Sequence, residues 1–211
     1  MKIKAFTLSE VMITIGVLGV LAAMLIPTLT KHTPSQRKML FKKAYSSLEK
    51  AVGELANDEA NYPSSEMGTI GSVSVQKAFN NTSTSGTIVP SSNDKFCYLL
   101  SDLMNTVGTI NCPTSGSMTF KTTDGIIWNL YYGGTHFPLS LTDYSTRVVV
   151  DVNGDAQPNC GDTAGGHITT ACTGNDISDQ YEIGIRFDGK IKVISTDAET
   201  ILLDPTNNSV R

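Results

Sequence analysis

Charge is scarce in this chain of 211 residues, and it is unevenly placed. Asp, Glu, Lys and Arg make up 17% of the sequence, and none lies between Val11 and Leu29. There is no basic excess either. The net charge of −4 argues against general nucleic-acid binding, because that affinity rests on cations neutralising phosphates. Histidine occurs three times, at His32, His136 and His167. His32 closes the apolar run, His136 precedes Phe137-Pro138 and His167 follows Gly165-Gly166, so none sits in a catalytic pattern. CxxC, HExxH, GxSxG and Gly-rich phosphate loops are missing. Thiolate zinc sites, zincins, hydrolase elbows and NTPase loops therefore lack their residues. The expectation is a protein that is not an enzyme.

What is present begins with the uncharged run itself. About 19 residues from Val11 to Leu29 would rise roughly 28 Å as a helix, close to the hydrocarbon thickness of a bilayer. Lys2 and Lys4 precede the run and predict a cytoplasmic N-terminus with the remainder exported. Glu10 stands at the lip, where a carboxylate is costly unless paired. A cleaved secretory signal cut near Ala22-Ala23-Met24 would carry Glu10 inside its apolar region. A plain single-pass anchor would leave Glu10 unexplained.

The order Ala5-Phe6-Thr7-Leu8-Ser9-Glu10 resembles the cleavage and N-methylation motif of type IV pilin-like proteins and type II secretion system pseudopilins. The resemblance covers about the first 30 residues. It implies a leader of residues 1–5, prepilin-peptidase cleavage between Ala5 and Phe6, N-methylation of Phe6, and Glu10 as the retained assembly charge. Ala5 stands where the family usually has glycine, and alanine is also small. Gly19 and Pro27 fall where the family often places helix-weakening residues. The implied function is a structural subunit of a pilus-like or pseudopilus filament, assembled through its N-terminal helix. The implied partners are other subunits, the prepilin peptidase, an assembly platform and membrane lipid, with no nucleic acid. The implied location is single-pass in the cytoplasmic membrane, with the C-terminal domain exported. Removing Lys2 and Lys4 from the 16 basic residues leaves 14 against 20 acidic ones, a net charge of −6. The alternative is a membrane-anchored, adhesin-like binding module that does not polymerise.

The sequence divides into residues 6–30 as membrane and assembly helix, 31–62 as an exported amphipathic helix, and 63–211 as a globular domain. Leu40, Ala44, Leu48, Ala51, Val52, Leu55 and Ala56 recur every three or four residues and form one apolar stripe. Pro27 and Pro34 should kink or interrupt the helix, although Thr33-Pro34 also fits a cap and first helical residue. Short helices are expected near residues 75–80 and 94–104. Strands are expected over 118–121, 126–130, 147–152, 181–187 and 190–195. Thr122-Thr123-Asp124-Gly125 and Asp188-Gly189 read as hairpin turns. The predicted class is α+β: a long N-terminal helix packed on an antiparallel sheet of about four or five strands. The pilin resemblance implies the same architecture.

Cys97, Cys112, Cys160 and Cys172 all lie in the part predicted to be exported, which favours disulfides. Pairing 97 with 112 and 160 with 172 closes two short loops and is the economical choice among three connectivities. The segment 151–162 places Asp151, Asn153, Asp155, Asn159 and Asp162 at EF-hand-like positions of a twelve-residue loop. Glycine is at position 4 rather than 6, and Pro158 interrupts the loop. The segment reads either as a calcium loop or as an Asx-Gly turn ending a strand. Calcium is the one cofactor the sequence suggests.

Overall fold

A computed structural model describes residues 7–30, 34–62, 67–70, 73–76, 79, 95–112, 116–132, 137, 140–144 and 146–203. In chain order the elements are α1 (Leu8–Thr30), α2 (Pro34–Ala56), β1 (Met67–Ile70), β2 (Val73–Gln76), α3 (Lys95–Leu103), β3 (Thr106–Val107), β4 (Gly116–Thr122), β5 (Ile127–Tyr132), β6 (Thr146–Asp151), β7 (Gln180–Ile185), β8 (Ile191–Val193) and α4 (Thr196–Leu203). The fold is α+β, as expected. The chain divides into two compact units, Met1–Thr33 and Pro34–Arg211.

The first unit is α1. Its described side chains run from Leu8 to Ala23 and are exposed, with Leu8, Met12, Ile13, Ile15 and Leu18 each more than 60% accessible. Among the described residues no helix is long and apolar enough to cross a membrane. The uncharged run read from the sequence continues to Leu29, so the membrane reading rests on the sequence.

In the second unit, Pro34 opens α2, where its missing N–H costs nothing. The helix ends at Ala56 rather than near Tyr62. The Asp58 carbonyl there accepts from the N–H groups of Asn61 and Tyr62 at 3.2 and 2.7 Å, folding the chain into turns instead. Of the predicted stripe, Ala44, Leu48, Ala51, Val52 and Leu55 are buried in the core, while Leu40 and Ala56 are half-buried against it; Phe41, outside the predicted stripe, is fully buried.

The stripe packs against a six-stranded antiparallel sheet in the order β3-β4-β5-β6-β7-β8. The sequence led to an expectation of four or five strands. The addition is β3, a two-residue strand that pairs Thr106 with Thr122 and is too short to show a period. Residues 73–76 form β2, paired with β1 in a separate two-stranded sheet, instead of starting a helix. The alternation Val-Ser-Val-Gln has the period of a strand. Residues 77, 78 and 80 of that expectation lie outside the described residues.

Cross-strand register sorts the main sheet into two faces. Trp128, Val150 and Tyr181 form one row, and Leu130, Val148 and Ile183 the next. All six are at most 1% exposed and face the helical core. Phe41 meets Tyr181 with ring centroids 4.3 Å apart, and Trp128 Nε1 donates to Thr122 Oγ1 at 3.1 Å. The other face carries the row Asn129, Val149, Glu182 and the row Tyr131, Arg147, Gly184.

Candidate functional site

That second face is polar by sequence, yet Val149 is 2% exposed and Glu182 fully buried. The β6–β7 connection, residues 152–179, folds back over it as a lid. Cys160–Cys172 closes the lid's central loop, and Cys97–Cys112 ties α3 to the approach of β4. Both disulfides follow the economical pairing. The lid is held along its length. Arg37 in the first turn of α2 donates to the Ile177 carbonyl at 2.7 Å and the Gln157 carbonyl at 3.4 Å. Asp179, fully buried, accepts the N–H groups of Asn159 and Cys160 at 2.9 and 2.8 Å. Asp162 Oδ2 accepts both the Thr196 N–H and hydroxyl, at 2.8 and 2.7 Å, at the start of α4. These bonds, from the Thr196 hydroxyl first, then its N–H and that of Ala164, hold the Asp162 carboxyl below its usual range.

Glu182 is the centre of this packing. His167 Nδ1 lies 2.9 Å from its Oε1, and the His167 N–H donates to Oε2 at 3.3 Å. Arg147 Nε is 3.5 Å from Oε1. The His167 ring lies against Tyr131, with ring centroids 4.6 Å apart and planes tilted by 41°, and Gly165 presses so closely on the carboxylate that a Cβ would collide with it. A buried carboxylate needs such partners, since breaking a buried pair leaves a charge without compensation. Strand alternation alone places Glu182 towards solvent; Gly184, inside the same strand, is the sequence signal that something approaches closely.

The twelve-residue set 151–162 is divided by the structure. Asp151 and Asn159 meet, with Asn159's side-chain amide 3.0 Å from Asp151 Oδ2. Asp155 turns away and pairs with Lys121 at 3.2 Å, and Asp162 is committed to α4. Gln180 Nε2 donates to Asp151 Oδ2 at 3.0 Å. Burial, opposed by that bond, pushes the Asp151 carboxyl up to about 6. Among the described residues no group of three or more His, Cys, Asp or Glu side chains could hold a metal.

A cleft of about 310 Å³ lies between α2 and the β4–β5 turn. Its charges are mutually paired, Lys43 to Asp124 at 2.9 Å and Lys50 to Glu54 at 3.9 Å.

In the first unit, Glu10 occupies the first turn of α1. Thr7 donates its N–H and hydroxyl to Glu10 Oε2, both at 2.8 Å, and its Oγ1 accepts the Glu10 N–H at 3.3 Å. This is a capping box, a threonine followed three residues later by glutamate, satisfying otherwise free donors at the helix start. Gly19 has nothing within 4 Å of a Cβ position, and Pro27 falls within the bounds of α1. Ala5, Phe6, His32 and His136 lie outside the described residues.

No family model, curated protein or solved structure matches the chain.

Proposed function

We propose that the protein is a filament subunit of the type IV pilin-like or type II secretion pseudopilin kind, stored in the cytoplasmic membrane and then polymerised. The order and spacing of the N-terminal residues carries this reading: Lys2 and Lys4, the small-aromatic junction Ala5-Phe6, Glu10, then an uncharged run. Cleavage after Ala5 by a prepilin peptidase and methylation of Phe6 produce the mature chain. Two features of α1 support the reading. The helix starts at Leu8 behind a Thr7 cap, two residues after the proposed cut. Its apolar side chains from Leu8 to Leu21 are exposed, as befits a helix whose packing partners are lipid and other subunits. Two disulfides in the second unit suit an exported domain.

Glu10 has a double role in this proposal. In the stored monomer its carboxylate is held by Thr7 of its own chain. In the filament it meets the cationic N-terminus of a neighbouring Phe6, an interaction strengthened by low dielectric. Charge pairing at one depth fixes the axial register of assembly. The lid and sheet form the displayed domain; no catalytic role is proposed for them.

Intact-mass measurement of the protein extracted from membranes tests the reading. Loss of residues 1–5 with one added methyl group is expected. An uncut, monomeric chain would replace this proposal with the anchored binding module.

A further inference from the structure

The turn that follows α2 and the first residue of α3 bring a lysine onto an asparagine with water largely excluded from both. Lys95 is 4% exposed and Asn61 7%. Lys95 Nζ donates to the Asn61 main-chain carbonyl and stands 4.7 Å from the centre of the Tyr62 ring. Tyr62, Phe79 and Phe96 touch in series, with ring centroids 5.1 and 4.8 Å apart. The Asn61 carboxamide is fixed by Asp58, whose Oδ2 accepts from Nδ2 at 2.7 Å. The Asn61 Oδ1 is buried with no hydrogen-bond partner among the described residues. Asp58 Oδ1 also accepts the Ala60 and Asn61 N–H groups, at 3.0 and 3.2 Å.

An ammonium group in such a setting is costly unless its charge is answered. The Tyr62 ring and the Asp58 carboxylate answer part of it. The Asp58 carboxyl is held below its usual range, chiefly by the Asn61 amide, with Lys95 among the further causes. Asp58 is therefore ionised and able to take a proton, and its partial exposure gives a departing group a route to water. An amine, an amide carbon and a proton carrier are thus held together. Such confinement turns a bimolecular encounter into a reaction within one molecule, with a large gain in effective concentration. Asn61 Cγ belongs to the residue whose carbonyl Nζ already touches, so a change in the torsions of lysine's flexible stem brings Nζ onto it.

We propose that Lys95 and Asn61 become joined by an isopeptide bond that the folded chain forms on its own. Asp58 takes one proton from the Lys95 ammonium and frees the Nζ electron pair. That pair adds to Asn61 Cγ and makes the Nζ–Cγ bond. Asp58 hands its proton to Nδ2, and the Cγ–Nδ2 bond breaks with its electron pair leaving on the nitrogen as ammonia. Nζ sheds one more proton, which the ammonia carries away as ammonium. No oxidant, reductant or further reactant enters. The product is a neutral amide, so the buried charge disappears, and the start of α3 is tied to the turn after α2 across a sequence separation of 34. The proposal is independent of polymerisation and stands whether or not Phe6 is processed.

Peptide mapping of the full-length chain extracted in detergent tests it, with the disulfides reduced first so that Cys97 and Cys112 cannot join peptides. The expected result is a branched tryptic species containing both Asn61 and Lys95, lighter than its two component peptides by one ammonia and uncut after Lys95. Lys95→Arg and Asn61→Ala should each abolish it. Asp58→Ala should lose it too while both disulfides still form, the behaviour of a folded domain that cannot move the proton. Separate peptides with cleavage after Lys95 in the unsubstituted protein overturn the proposal. A branched species lighter by one water overturns the assignment to Asn61, because the bond would then lie on an acidic side chain. A bond that persists in Asp58→Ala overturns the proton route.

Discussion

Thr7 and Glu10 bond one another reciprocally at the head of α1, at 2.8 Å in one direction and 3.3 Å in the other. The carboxylate that the sequence marks as expensive is therefore already satisfied within its own chain. Under the proposed filament function, assembly would exchange this contact for one between subunits.

Substitutions at Glu10 should separate membrane insertion from the proposed assembly. Glu10→Gln retains an acceptor for Thr7 but carries no charge; Glu10→Ala retains neither. Both variants should fractionate with membranes, and both should yield few sheared, pelletable filaments. If Glu10→Ala assembled at the unsubstituted level, pairing with the neighbouring amine would not set the register.

The cover over Glu182 should be intolerant of volume. Gly165→Ala drives a methyl group into the Glu182 carboxylate, which His167 and Arg147 hold in place. Overpacking of this kind costs about 1–3 kcal/mol. Glu182→Ala should cost about 3 kcal/mol, towards the low end for breaking a buried pair, because Arg147 retains 22% side-chain exposure and a route to water. Urea unfolding of both variants gives these values directly.

Replacing both Cys160 and Cys172 by alanine opens a loop of sequence separation 12 and should remove about 3 kcal/mol by the chain-entropy estimate. The loss should be local before it is global. Hydrogen exchange should accelerate first across residues 160–179, while β5 and β6 stay protected.

Acid should loosen the lid through Asp162. Its folded-state carboxyl titrates below the ordinary value because Thr196 and Ala164 donate to its ionised form. The resulting stability is present above the unfolded-state value and is lost as pH falls through the lower, folded one. Unfolding midpoints should decline below about pH 4, and Asp162→Asn should flatten that decline relative to the unsubstituted protein. Equal acid slopes would remove Asp162 from the account.

The legible parts of the fold were those with a local period. Leu48, Val52 and Leu55 recur at helical spacing and lie in the core. Trp128 and the Val148–Val150 pair read as strand and are strand. Asp188-Gly189 turns β7 towards β8 with Gly189 at φ +79°, a conformation that glycine adopts freely. The two-residue β3 and helix α4 were missed. Each is too short for periodicity to rise above its surroundings, and each gains its order from neighbours: β3 from β4, α4 from Ala198 and Ile201 entering the core.

By itself the sequence determined the uncharged N-terminal run with its basic flank and single carboxylate, the amphipathic stripe of α2, and the two faces of the sheet. These follow from the order of residues along one chain, because side-chain direction repeats every 3.6 residues in a helix and every two in a strand. Only the tertiary structure decided which sheet face meets water. Gln180, Glu182 and Gly184 alternate as a solvent face would, yet the lid from residue 152 to 179 closes over Glu182 and pairs it with His167, 15 residues away, and with Arg147 on the adjacent strand. Burial there depends on where a distant loop returns, and no local period encodes that.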